Sequence, residues 1–202
     1  MVVVDVETSG LVPRTYALLS IGAVDFDDPE RQFYEECRAW DGALISEEAL
    51  AVNGFTEEDA WDKNKKSLEE VMAAFKEWLT PIRDITLAGQ NPSFDRDFVN
   101  DSFRRAGVDM RFPSRTVDMH SLVFSDHLRR GISLPIKNRR SDINLDAALV
   151  YVGIPEEPKP HNALVGAKVE AEAFSRIIRG APLLPEFKKF LLPEYLINTL
   201  ND

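Results

Sequence analysis

The chain has 202 residues, 44% of them apolar, which suits one domain with a sizeable core and excludes a disordered segment or a mini-protein. Its 34 acidic residues exceed its 24 lysines and arginines, and the net charge of −10 excludes a protein that coats long duplex through a broad basic face, though not a small nucleic-acid site. Cys37 has no second cysteine with which to form a disulfide or zinc knuckle, no run approaches the roughly 18 apolar residues of a membrane span, and no signal-like segment precedes the first strand, so a packing role for Cys37, a cytoplasmic location and no membrane partner are expected.

The unbroken β-branched run Val2-Val3-Val4 predicts a central strand covered on both faces, ending at Asp5-Val6-Glu7 before a Thr8-Ser9-Gly10 turn. Tyr16 to Phe26 and Gln32 to Trp40, parted by the polar corner Asp27 to Glu30, complete a meander of three antiparallel strands. A short helix follows from Ser46 to Val52. Ser67 caps a longer one with Leu68, Val71, Met72, Phe75 and Leu79 at helical spacing, stopped by Pro81. Ile85 to Gly89 reads as a short buried strand, and Phe94, Phe98 and Phe103 mark the next helix. Thr116 to Met119 reads as a strand before a helix containing Leu122, Val123 and Leu128. Arg129 to Asn144 carries Gly131, Pro135 and five basic residues with little periodicity and is expected to be a long surface loop. Helices over 144–152 and 162–178 precede an apolar tail from Leu183 to Leu200. Strands first and then alternating strand and helix imply an α/β fold, a mixed sheet with helices on its faces. The expected division is a domain over 1–180 and a tail over 181–202 that docks on the domain or on a partner.

Residues two apart on a strand share a face, so Asp5 and Glu7 place two carboxylates side by side at the end of an apolar strand. Such a pair needs raised pKa values, a basic partner or a divalent cation, and the absence of Lys and Arg before Arg14 favours the cation. The plain alternative is turn chemistry for Asp5 and a solvated Glu7. Asp95 opens a helix after a buried strand, where it serves as N-terminal charge or reaches the end of the sheet. His161 stands at the mouth of a later helix, behind Pro158-Lys159-Pro160, as a cap or a catalyst.

Taken together, Asp5 to Leu11, Asn91 to Phe98 and His161 onward resemble the three motifs of the DnaQ-like, or DEDDh, 3′-to-5′ exonucleases, over nearly all of the chain from Val2 to about Ile178. The resemblance implies a ribonuclease-H-like five-stranded sheet, three strands antiparallel and then parallel. It implies hydrolysis of phosphodiester bonds at the 3′ end of single-stranded DNA or RNA with two Mg²⁺ or Mn²⁺ ions held by hard oxygen ligands. Asp5, Glu7 and Asp95 would be metal ligands, and His161 would take the attacking water's proton, a task that suits an imidazole. Thr8 and Leu11 would hold the terminal nucleotide, with Phe98 lining the same pocket; for Leu11 and Phe98 ordinary packing stays open.

The third motif departs from the pattern, with Gly166 where a carboxylate is expected. Glu170, about 40° around the helix and roughly 6 Å further along it, leans back toward that position and is assigned the missing ligand. Otherwise the chain is a catalytically silent nucleic-acid-binding or scaffolding domain, or a structural domain whose tail binds a partner. The motifs leave open DNA against RNA, and a homodimer or a polymerase-like partner.

Overall fold

A computed structural model describes residues 1–197; the end of the predicted tail, 198–202, lies outside the described residues. The chain begins with β1 (Val2–Thr8), β2 (Leu18–Asp25) and β3 (Gln32–Glu36), followed by α1 (Glu47–Asn53), α2 (Glu57–Trp61) and α3 (Leu68–Leu79). Next come β4 (Leu87–Gly89), α4 (Ser93–Arg105), β5 (Thr116–Asp118), α5 (Met119–Arg130) and the small strands β6 (Ile136–Lys137) and β7 (Arg140–Ser141). The helices α6 (Leu145–Tyr151), α7 (Ala163–Arg179) and α8 (Glu194–Ile197) complete it. Five strands form one sheet in the order β3-β2-β1-β4-β5. The first three are antiparallel, and β4 and β5 add in parallel, as the motifs implied.

The pleat of β1 sorts its residues between two cores. Val2, Val4 and Val6 face one way, toward Val71, Met72 and Phe75 of α3 and Phe98, Val99 and Phe103 of α4. Val3 faces the other, toward Ala167, Ala171 and Phe174 of α7 and Leu149 of α6. That β1 is buried on both faces explains its unbroken β-branched run. Helix α3 starts at a reciprocal cap, Ser67 Oγ accepting from the N–H of Glu70 and the Glu70 carboxylate from the N–H of Ser67. Cys37 is buried, donates to the carbonyl of Leu18 at 3.3 Å, and burial pushes its thiol up to about 12, consistent with a packing role.

Two segments differ from the sequence reading. The span from Arg129 to Asn144 is not one loop, because α5 continues to Arg130 and Gly131 ends it in the left-handed region at φ 66°. Beyond it β6 and β7 form a hairpin whose tip, Asn138 and Arg139, has φ of 50° and 66°. That turn geometry favours Asn-Gly, and an arginine in the second place hides the signal. Helix α2, with a reciprocal Thr56/Asp59 cap, is too short to show apolar periodicity and was not expected.

Residues after α7 lie on the second core, with Leu184 buried and Leu183, Phe187, Phe190 and Leu192 packed against it. They are tied down by Arg176, which is fully buried. Its Nε donates to Glu172 Oε1 at 2.6 Å, and its other nitrogens reach the carbonyls of Val152, Phe187 and Phe190 at 3.0–3.2 Å. Glu172 Oε2 accepts from the N–H groups of Leu183 and Leu184. Such a pair is stabilising only while every partner remains. Arg176→Met should lower the unfolding free energy by about 3–5 kcal/mol and expose 183–193 to proteolysis; a loss below about 1 kcal/mol in urea titration would show that the tail is held by apolar contacts alone.

Candidate active site

Past Val3, the same face of β1 carries Asp5 and Glu7, opposite Gly22 and Ser20 of β2, and the register shifts between Glu7 and Thr8. There the sheet's apolar face becomes a carboxylate site. Asp95, in the first turn of α4, is buried, and its Oδ1 accepts from the backbone N–H of Val6 at 3.1 Å. It therefore reaches the sheet between Asp5 and Glu7 instead of merely serving its own helix. Helix α7 covers this face. Asn162 caps it, accepting from the N–H groups of Leu164 and Val165, and Asn162 Nδ2 donates to Tyr34 on β3 at 3.1 Å.

Position 166 lies directly on Asp5: a Cβ there would stand 2.1 Å from Asp5 Oδ2 and 2.8 Å from Asp5 Cγ, so glycine is what lets helix and carboxylate approach so closely. One turn on, Glu170 is buried, its Oε1 accepting from the N–H of Gln90 at 3.1 Å and its Oε2 left without a partner. His161 is held by its backbone N–H, which donates to the carbonyl of Val52, and its Nδ1 stands 3.5 Å from Glu157 Oε2. Asn53, next to Val52, donates to the carbonyl of Thr8 at 3.1 Å, so the end of α1 braces both the turn after β1 and the histidine loop.

Asp5, Glu7, Glu157, His161 and Glu170 thus line one cavity of about 320 Å³, completed by Val6, Gln90, Asn144, Leu145 and Asp146. No lysine or arginine lines it. Burial, then the nearby charges of Asp95, Glu170, Glu7 and Glu157, hold the Asp5 carboxyl well above the usual range. Burial and the charge of Glu157 push Glu7 up to about 8, and burial takes Asp95 to about 7. Glu157 is pushed to about 7 by burial and Asp146, and Glu170 is raised by burial and Asp95. Among the described residues no three of these groups already converge as a finished metal cage. The donor set is nevertheless all hard oxygen, with buried orphan oxygens on Glu157 and Glu170, and it fits a divalent cation of the Mg²⁺ or Mn²⁺ kind.

The other expected residues are placed as follows. Thr8 is buried and its hydroxyl donates to the carbonyl of Gly10 at 2.7 Å, shaping the turn. Leu11 is 77% exposed, an apolar side chain held out into solvent. Phe98 is 1% exposed, belongs to the first core and packs on Phe94 at 4.9 Å, so it backs the site instead of facing it. Glu157, which also lines the cavity, carries no sequence signal because it lies upstream of the histidine, in a proline-rich stretch.

A five-stranded sheet of this order, with helices on both faces and carboxylates at the end of its central strand, is the fold of DnaQ-like, ribonuclease-H-like nucleases. Among solved structures, cell-death related nuclease 4 superposes with a TM-score of 0.66 at 13% identity, over 90% of this chain and 64% of that one. Exonuclease I of Escherichia coli in complex with a dT13 oligonucleotide superposes with a TM-score of 0.66 at 17% identity, over 87% and 40%. The chain therefore spans less than two thirds of these solved proteins. The profile of the RNase T family, described as Exonuclease, matches residues 2–174, and the chain belongs to this exonuclease family. Similar curated proteins include the 3′-5′ DNA exonuclease Cap18 of Escherichia coli, 29% identical over 86% of this chain and 89% of that protein. Ribonuclease T of Klebsiella pneumoniae is 26% identical over 88% and 83%. Among the described residues no helix is long and apolar enough to cross a membrane.

The raised carboxyl pKa values have a signed consequence for the metal-free protein. Unfolded, these groups titrate near 3.8–4.5; folded, Asp95, Glu157 and Glu7 keep their protons up to about 7, 7 and 8. Between those limits the folded chain binds more protons than the unfolded one, so their contribution is complete below about pH 4 and is lost as pH rises through 8. In chelator, the melting temperature should fall from pH 5 to pH 8, and Mg²⁺ or Mn²⁺ at pH 8 should restore it. A melting temperature that is flat or rising over that range, or indifferent to the cations, would contradict the crowded-carboxylate description.

Proposed function

We propose that this chain is a metal-dependent 3′-to-5′ exonuclease that hydrolyses phosphodiester bonds at the 3′ end of single-stranded DNA or RNA. The observation that carries the reading is a cavity lined by Asp5 and Glu7 from β1, Glu170 from α7 and His161, with no lysine or arginine, beside which Asp95 of α4 is bound to the strand at Val6, in a member of an exonuclease family. Asp5, Glu7, Asp95 and Glu170 would hold two divalent ions, Glu170 reaching them from one turn beyond Gly166. Bound there, the ions supply a lowered pKa for the attacking water and charge stabilisation for the transition state. His161, half-exposed beside the cavity, takes the water's proton. On the family resemblance Leu11, an exposed apolar side chain, would act as a wedge against the terminal base and the Thr8 turn would support the terminal sugar, while Phe98 is buried in the first core.

The hairpin of β6 and β7 is the proposed path for the rest of the strand. It leads into the site wall at Asn144 to Asp146, and Lys137, Arg139 and Arg140 are exposed and form no ion pair among the described residues. Arg129 and Arg130 are not part of this path, because both are bound to Asp126, at 2.5 and 2.7 Å.

End-labelled single strands of DNA and of RNA should be shortened from the 3′ end with Mg²⁺ or Mn²⁺ and left intact with chelator. Asp5→Ala and Asp95→Ala should each lower cleavage by at least about a hundredfold while the protein stays folded. Binding of 3′ ends without cleavage, in parent and variants alike, would establish the silent-domain alternative.

Neutralising Lys137, Arg139 and Arg140 together should flatten the slope of log affinity against log salt by about 2, at about 0.7 for each phosphate of a single strand. An unchanged slope would make the hairpin a solvated arm.

A further inference from the structure

The loop before α7 brings a further carboxylate to the site. Glu157 has a side chain only 4% exposed, and its backbone N–H donates to Asp146 Oδ1 at 3.2 Å, which anchors the loop to the start of α6. Its two oxygens have different surroundings. Oε2 stands 3.5 Å from His161 Nδ1. Oε1 is buried without a hydrogen-bond partner and lies 3.3 Å from the point where a Cβ on residue 166 would stand, the same point that is 2.1 Å from Asp5 Oδ2.

Glu170 is aimed elsewhere. Its Oε1 is held by the N–H of Gln90, and its Oε2 lies 3.2 Å from where a Cβ on Gly89 would stand, over the end of β4. The space above Gly166 is therefore bordered by Asp5 and Glu157. A buried carboxylate oxygen with no donor, beside a second carboxylate, is a costly arrangement that a cation between them reverses in sign.

We propose that Glu157 is a divalent-cation ligand of this site, its Oε1 filling, beside Asp5, the place that a carboxylate on residue 166 would otherwise fill. This rests on the reading of the cluster as a cation site. Glu170 then contributes from the β4 side, and the site draws on carboxylates from both ends of the segment that carries His161. Gly166 is the complement of this arrangement, since a side chain there would displace Asp5 and crowd Glu157.

The test is calorimetric titration of the metal-free protein with MnCl₂, for the parent, Asp5→Asn, Glu157→Gln and Glu157→Asp. Glu157→Gln should weaken Mn²⁺ binding at least about tenfold, and Glu157→Asp, which keeps the charge but withdraws it by one methylene, should fall between it and the parent. Without metal, Glu157→Gln should melt no lower than the parent, because it removes a repelling charge. Affinity within about threefold of the parent in the Glu157 variants overturns the inference. It is overturned as well if affinity is kept while cleavage falls, for then Glu157 acts on His161 alone. Loss of Mn²⁺ in Asp5→Asn but not in Glu157→Gln removes the inference and leaves the cation site standing. A parent that binds no Mn²⁺, or an Asp5→Asn variant that binds as the parent does, removes both. If Glu157→Gln does not fold, Glu157→Asp carries the test, and parent-like affinity there overturns the inference.

Discussion

Helix α7 lies so close to the sheet that its first turns leave no room for side chains between them, and most of the site's chemistry follows from that closeness. A Cβ on Gly22, in register with Asp5 on the neighbouring strand, would stand 2.1 Å from the carbonyl oxygen of Ala163. A Cβ on Gly166 would meet Asp5 itself. Two glycines, one on each surface, thus let a helix backbone rest on a sheet at the point where the sheet turns from apolar to acidic. Ala163, Ala167 and Ala171 continue the small-residue face along the helix. With helix and strand in contact, the carboxylates of β1, of the loop before α7 and of the helix's second turn cannot spread apart, and water has little access to them.

The molecule therefore holds two buried charged assemblies built on opposite principles, both attached to α7. Arg176 and Glu172 balance each other and satisfy their remaining donors and acceptors with backbone groups, which makes that assembly a rigid joint. The carboxylates near Gly166 are unbalanced, and burial shifts them toward their neutral forms. The joint two turns further along ties the helix to the end of α6 and to the segment that follows α7.

Much of the fold was legible because local and tertiary demands coincide. The β-branched run of β1 reports burial on both faces, and the apolar spacing of α3 reports its one packed face, so sequence and structure agree there. Asp5, Glu7 and Asp95 were legible as a set because their motifs stand in order along the chain; that Asp95 would hydrogen-bond the strand between the other two is a long-range fact that no local pattern carries. Glu157 and the β6–β7 hairpin were hidden for different reasons. The first sits in a loop whose course is set by Asp146, and the second turns on an Asn-Arg pair where a glycine would have announced it. Phe98, for which pocket and packing both stood open, is buried in the core, because helical spacing marks a buried face without telling a cavity wall from the core behind it.

The position of β1 at the centre of the sheet also orders events as the chain folds. Its antiparallel partner β2 is local, but the bond from Val6 to Asp95 spans 89 residues and that from Gln90 to Glu170 spans 80. Contacts of that separation close long loops, at an entropic cost that local pairs avoid. Until α7 arrives, Asp5 and Glu7 face water on a half-built sheet, with the cost of crowding them still deferred. Closure of the second core and assembly of the site thus draw on the same contacts, so a divalent ion bound at the proposed site would stabilise the folded chain as well as serve its chemistry.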